Sequence, residues 1–282
     1  MKEFWSRFRR NRGAVLGLVI LVIVTIVAVG APMFYPHSPW QMVTRPFLPP
    51  FEDAIVPFGT DMLGRDIAAG IAHGARVSLL VGLISTVVAC LVGIGFGAFA
   101  GYFGGVFDDA LMRITEFFMT IPTFVFAIVL VAIFTPSIYS IVAAIAIVSW
   151  PPVARLVRGE FLSLREREYT QAAVVLGQGH LRIIFLQILP NAMSPVIVAA
   201  SLMMATAILT ESAISFLGLG DPNLMSWGYM IGSARTVLRQ AWWMSFFPGI
   251  AILLTVLALN LVGEGLNDTL NPRLARKGRV PV

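Results

Sequence analysis

The chain has 282 residues, of which 57% are hydrophobic and 12% charged, with a mean hydropathy of +0.84. A soluble domain carries about 25% charged residues, and half of that fraction cannot cover a water-facing globule, so the composition excludes a soluble domain and specifies an all-α polytopic membrane protein. The net charge of +5 does not mark a nucleic-acid binder, because the basic residues sit in short loops beside apolar spans.

In chain order, a basic cytoplasmic tail, 1–13, precedes a first apolar span from about Ala14 to Ala31. Its 18 apolar residues exceed the core of a signal peptide, roughly 7–15 residues, so it reads as a retained span. An external segment of about 32–75 follows. The second span, Val77–Ala100, carries no charge, and its Gly93, Gly97 and Gly101 recur every fourth residue. That places them on one helical face, where small residues let backbones approach closely in lipid; the face packs against another helix, in this chain or in a partner, or lines a path through the bundle. The third span runs from about Leu111 to Phe134, with Arg113 and Glu116 one turn apart as a local pair. The fourth, about Ile138 to Ala154, ends at "WPPVAR". The fifth, about Asn191 to Leu217, holds Glu211; the sixth, about Trp242 to Val262, opens on two tryptophans as an interfacial anchor does. The membrane bundle thus covers 14–266, and a tail covers 267–282.

Orientation follows from the basic residues. With the N-terminus inside, the outer segments hold Arg45, Arg65, Arg76, Arg235 and Arg239, and the inner segments hold the other fifteen of the twenty Lys and Arg. The chain is therefore N-in, C-in, and the polar stretch "EREYTQAAVVLGQGHLRIIFLQILP", within a loop of about 157–190, lies in the cytoplasm. Ser163–Leu176 reads as a helix whose Ala172, Ala173 and Leu176 form a small apolar patch. Gly177 supplies the positive φ that ends it, His180–Leu189 resumes helix, and Pro190 suits the first turn of the next helix. On pattern alone the hairpin is either a docking knob or a connector between two spans.

Other constellations are sparse. A carboxylate in mid-membrane costs on the order of 2.5–3.5 kcal/mol, so Glu211, with Ser212 and Ser215 beside it, faces the bundle interior or water. It either serves a function inside the bundle or is a hydrogen-bonded packing residue; under the resemblance given below, the functional role is that of a gate or translocation-path residue. In "FGTDMLGRDI", Thr60 or Asp61 caps a short external helix. The only lysines are Lys2 and Lys277, so no Gly-Lys-Ser/Thr phosphate loop exists. Neither a HExxH metal motif nor a GxSxG nucleophile elbow occurs, the three histidines are isolated and Cys90 is single, so no metal site or catalytic group is expected.

"QAAVVLG" followed by "ILP" resembles the EAA loop of ABC-importer permeases, over Glu168, Tyr169, Gln171, Ala172, Ala173, Leu176, Gly177 and Pro190. Gln171 stands where that family typically has Glu, which keeps size and hydrogen bonding but loses a charge. "PFGTDMLGRDI", "GARVSL", "GYFGG", "ESAISFLGLG", "FPGIAILLTVLALNLVGEGL" and "NDTLNPR" extend the resemblance over nearly the whole chain. They are similar to the second, C-type permease of dipeptide, oligopeptide and nickel importers. The resemblance implies a six-helix, type I importer permease fold in the bacterial inner membrane. It implies a homologous second permease, two cytoplasmic ATPases that bind ATP and Mg, and a periplasmic or lipid-anchored solute-binding protein. No cofactor is then expected in this chain. The external element Gly59, Thr60, Asp61, Gly64, Arg65 and Asp66 would meet the binding protein or cover the pore. The alternative to this reading is an ion-coupled secondary transporter that works without an ATPase.

Overall fold

A computed structural model describes residues 2–270, and the basic residues Arg273, Arg276, Lys277 and Arg279 lie outside them. The described chain is helical throughout its spans. It comprises α1 (Lys2–Arg10), α2 (Arg12–Phe34), α3 (Ile67–Phe103), α4 (Gly105–Thr120), α5 (Thr123–Ile133), α6 (Ile138–Arg165) and α7 (Glu168–Val175). There follow α8 (His180–Arg182), a π-helical stretch Ile183–Ile188, α9 (Leu189–Ile214), a second π stretch Ser215–Leu219, α10 (Trp227–Ala234) and α11 (Trp243–Leu270). Five continuous helices are long and apolar enough to cross a membrane. The pair α4 and α5, bent by 85°, makes the sixth span.

Several boundaries differ from the sequence expectation, each for a local reason. The third span is broken rather than straight, because Pro122 disfavours helical backbone at the residue before it, and Ile121 is extended at φ −87°, ψ 128°. Asp108 of α4 forms a two-pronged ion pair with Arg158 of α6, at 2.5 and 2.6 Å, while Arg113 and Glu116 stay exposed and form no ion pair among the described residues. α3 starts ten residues early because Asp66 caps it, its Oδ1 accepting the Ala68 N–H at 2.8 Å. α6 runs on through Pro151 and Pro152 to Arg165, since Val153, Ala154, Val157 and Phe161 beyond the prolines are wholly buried. α11 likewise continues past 266 to Leu270.

The centre of the bundle is the contact between α3 and α6. A Cβ on Gly93 would sit 2.8 Å from the Trp150 carbonyl, one on Gly97 would overlap the Ala154 carbonyl, and one on Gly101 would sit 2.8 Å from the Arg158 carbonyl. Both numberings advance by four, so the helices run parallel and in step, one turn against one turn. The glycine face is thus covered within the chain and is not free for a partner permease. α2 closes on α11 in the same manner, with Gly17 set against the Ala258 carbonyl.

Outside the membrane, the segment between α2 and α3 folds without a helix of its own. This corrects the expectation that Thr60 or Asp61 caps one. Thr60 Oγ1 instead accepts the Leu48 N–H and donates to the Arg45 carbonyl, while Asp61 Oδ1 accepts the N–H groups of Leu63 and Arg65. Gly59 and Gly64 hold φ of +79° and +76° with carbonyls of Leu48 and Thr44 where a Cβ would be, so each must be glycine. The Arg65 guanidinium lies 4.8 Å from the centre of the Trp40 ring. Trp243, expected at the membrane interface, is buried and donates from Nε1 to the Thr60 carbonyl; Trp242 alone is exposed.

Burial raises the Asp66 carboxyl above its ordinary range, although the backbone N–H groups of Ala68 and Ala69 and the nearby His37 pull it down. The folded protein therefore holds this proton more tightly than the unfolded chain. Its contribution to stability falls as pH rises from the unfolded value, about 3.9, through the raised folded one, and is flat above. Asp66→Asn is expected to keep the cap and remove this slope, and Asp66→Ala to remove the slope as well and to cost about 1 kcal/mol above the window through loss of the cap. Thermal unfolding of purified protein across acidic to neutral pH checks both.

Candidate functional site

Two places concentrate polar groups: the cytoplasmic hairpin and a buried cluster toward the outer face. In the hairpin, α6 ends at Arg165 and α7 begins at Glu168, so the expected single helix Ser163–Leu176 is two helices with a corner. The corner is closed by side chains. Thr170 Oγ1 donates to the Leu164 carbonyl at 2.9 Å, and Gln171 Nε2 donates to the Arg165 carbonyl at 3.2 Å, satisfying carbonyls left over at the end of α6. Glutamate at 171 has no proton to donate there when ionised, so glutamine has a specific use at this position.

α7 ends in a Schellman motif. Gly177 adopts φ +72°, its N–H reaches the Val174 carbonyl at 2.9 Å, and the Gln178 N–H reaches the Ala173 carbonyl at 3.1 Å. Nothing surrounds Gly177 within 4 Å of a virtual Cβ, so the backbone angle alone requires glycine there. The apolar patch differs from the expected one. Ala173 is buried against the bundle, in a cluster with Phe161, Ile183 and Ile184, and does not face outward. Ala172 is exposed, and the outward apolar surface is Val174, Val175 and Leu176, with Tyr169 beside them; Val175 is 86% and Leu176 78% exposed. Glu168, also exposed, lies in the first turn of α7, where a negative charge is favourable.

Pro190 does not begin a new helix. The helix runs on without a break from His180 through α9 to the kink at Gly218, and Pro190 lies just past its first π-helical stretch. There the Leu189 N–H reaches back five residues to the Ile184 carbonyl. The wider register gives room for the proline ring and absorbs its missing N–H. The hairpin's second arm is therefore rigidly continuous with the fifth span.

At the outer end of that span, Glu211 is 2% exposed. Its Oε1 accepts hydroxyl protons from Ser226 at 2.7 Å and Ser215 at 2.9 Å. Ser212 lies 3.4 Å from Oε2, but its one proton goes to the nearer Ile208 carbonyl at 2.9 Å. Ser226 also caps α10, its Oγ accepting the Tyr229 N–H at 3.0 Å. Ser226 was missed in the sequence, although a serine directly before "WGYM" is a helix-start signal. Gly228 of α10 sits where a Cβ would be 3.1 Å from Glu211 Oε1, so α10 is pressed onto α9. A small crevice between α3, α6 and α9 is lined by Val77, Ile141, Glu211, Asp221, Leu224 and Ser226. The structure thus brings Glu211, Ser212 and Ser215 together and adds Ser226 to them. The external residues Gly59 to Asp66 form a separate folded loop against α10 and α11.

Residues 93–276 match the model of the binding-protein-dependent transport system inner membrane component, and residues 1–50 match that of the N-terminal TM domain of oligopeptide transport permease C. The chain is 42% identical over 281 residues to the di/tripeptide transport system permease protein DppC of Pseudomonas aeruginosa, covering 97% of this chain and 92% of that one. It is 42% identical to the dipeptide permease protein DppC of Escherichia coli, over 97% and 93% of the two chains. It is 38% identical to the oligopeptide permease protein OppC of Bacillus subtilis, over 98% and 90%. A chain of the inward-facing MetNI methionine ABC transporter superposes with a TM-score of 0.58 at 15% identity, covering 72% of this chain and 96% of that one, and so shares its fold. The protein belongs to the family of inner-membrane components of binding-protein-dependent transport systems. It is a multi-pass bacterial inner-membrane permease subunit of an ABC importer that contains other permease and ATPase subunits.

Proposed function

We propose that this permease moves di- and oligopeptides, the solutes named for its relatives, and that it does so as one half of a heterodimer with a homologous permease. Two cytoplasmic ATPases bind ATP and Mg, and a periplasmic or lipid-anchored binding protein delivers the solute. This chain contributes no catalytic group. In this reading it consists of the tail 1–13, the bundle 14–266 with its external segment, the ATPase-contacting loop 157–190 and the tail 267–282.

The observation that carries the proposal is the knob Val174–Leu176. Three consecutive exposed apolar residues stand on a Schellman-capped turn, with Tyr169 and Leu181 also exposed near them. Such side chains are stabilised by burial against a partner, at about 1.5–3 kcal/mol each. The rest of the coupling set, Glu168, Tyr169, Gln171, Ala172, Ala173, Gly177 and Pro190, shapes and aims that knob. Glu211, Ser212, Ser215 and Ser226 act at the outer closure of the path, and Gly59 to Asp66 form the surface that the binding protein meets.

The double variant Val175→Asp/Leu176→Asp tests it. Both side chains are exposed, so insertion and thermal stability are expected to stay at wild-type values. Co-purification of the ATPases and peptide uptake are expected to fall at least thirtyfold, the effect of losing about 2 kcal/mol at the interface centre. Undiminished ATPase capture by the double variant would overturn the proposal. Uptake by this chain alone in liposomes under an ion gradient would establish a secondary transporter instead.

A further inference from the structure

Both arms of the hairpin grip the inner end of α3. From the second arm, His180 Nδ1 lies 2.9 Å from the Tyr102 hydroxyl, whose proton it accepts in the neutral tautomer protonated at Nε2. The two rings meet edge to face at 5.7 Å, and Phe103 flanks the imidazole at 5.8 Å. From the first arm, Arg165 Nη1 donates to the Tyr102 carbonyl at 3.1 Å and reaches the Gly101 carbonyl at 3.5 Å. These carbonyls are left over in the last turn of α3, where a cation is favoured.

α3 is also fastened at its outer end. The Trp227 backbone N–H donates to Ser78 Oγ at 3.2 Å, and its indole Nε1 donates to the Ile71 carbonyl at 3.0 Å. Trp227 follows Ser226, which holds Glu211 at 2.7 Å. Ile71 and Tyr102 are 31 residues apart on one helix, about 46 Å along its axis. One rigid rod thus joins the hairpin to the outer cluster.

We infer that Tyr102 and His180 form the latch through which displacement of the hairpin is delivered to α3, and through α3 to α10 and Glu211. Tyr102 packs in one cluster with Ile183, Ile184 and Ile188 of the second arm, and the hydrogen bond to His180 adds a directed contact that fixes the register of the two elements. Tyr102 is buried and cannot swing away, and His180 stands three residues past the Gly177 turn, at the first residue of the helix that becomes the fifth span. Tyr102 and His180 are positioning residues: neither touches solute or nucleotide. The inference rests on the hairpin being the ATPase contact.

The test uses the full transporter in proteoliposomes and needs no knowledge of the solute. In a Cys90→Ala background, Leu224→Cys reports the outer crevice through its rate of maleimide labelling with and without ATP. In a second preparation, Leu176→Cys reports ATPase docking by cross-linking. Tyr102→Phe keeps the ring packing and leaves the exposed His180 to water, so the protein is expected to fold, with cross-linking and thermal stability unchanged. The ATP-dependent change in labelling at 224 is expected to shrink at least threefold. His180→Leu is expected to do the same, the double variant no more than either alone, and His180→Gln, which keeps an acceptor, to restore most of the response. A wild-type labelling response in Tyr102→Phe, or additive losses in the double variant, would overturn the latch. Absence of cross-linking at 176 in the otherwise wild-type chain would overturn the hairpin reading itself.

Discussion

Gly97→Leu is expected to abolish the folded protein, while Gly95→Ala, two residues away on the same helix, is expected to stabilise it. The contrast separates packing from helix propensity. At Gly95 nothing lies within 4 Å of a virtual Cβ, so alanine there meets no obstacle and gains about 1 kcal/mol of helix propensity. At Gly97 the same Cβ overlaps the Ala154 carbonyl and stands 2.8 Å from Val157 Cβ. A backbone carbonyl inside a helix cannot rotate away, so α3 and α6 must separate. Overpacking costs about 1–3 kcal/mol where side chains yield, and here none does. Separation also pulls Gly93 and Gly101 from their places, because the three contacts share one register. Size-exclusion chromatography of detergent-solubilised protein, followed by thermal unfolding, should find Gly97→Leu aggregated or absent and Gly95→Ala at least as stable as wild type. Well-folded Gly97→Leu would mean that α3 and α6 do not pack in step.

What was legible in the sequence was whatever depends on composition along one helix. Apolar runs located five long helices and the broken α4–α5 pair, because hydropathy along the chain is a one-dimensional property. Gly177 was legible as a helix end because a positive φ is a local demand. Helix ends set by tertiary burial were not legible. Pro151 and Pro152 read as a stop, yet Val157 and Phe161 beyond them gain enough by burial against α3 to carry the helix on to Arg165. Pro190 read as a start, and the π-helical register that absorbs it depends on which carbonyls the preceding turn can reach. The direction of Ala173 was also hidden, because an eight-residue helix carries too little periodicity to distinguish its inner face from its outer one. The partners of Glu211 divide in the same way. Ser215 lies one turn along the same helix, whereas Ser226 reaches it only once α10 folds back.

That last contact gives the two roles open to Glu211 different expected outcomes on mutation. Oε1 takes the two strong hydrogen bonds, from Ser215 and Ser226, and Oε2 has only the distant Ser212. If the side chain acts as the post to which the start of α10 is tied, an acceptor oxygen at that place is what the structure needs. Glu211→Gln keeps an oxygen at that place, so uptake by the full transporter is expected to stay within about twofold of wild type. Glu211→Ala strips the acceptor from two buried hydroxyls at about 1–3 kcal/mol each, and frees α10 from α9 at its capped end. Uptake is expected to fall at least tenfold, and Leu224→Cys in that background to label rapidly whether or not ATP is present, because the outer crevice no longer closes. If Glu211→Gln instead lost uptake while keeping its thermal stability, the negative charge itself would be what the passing solute meets. A Ser226→Ala variant discriminates further: it removes one of the two bonds and the cap of α10 while leaving Glu211 in place, and on the present geometry it should reproduce most of the Glu211→Ala defect.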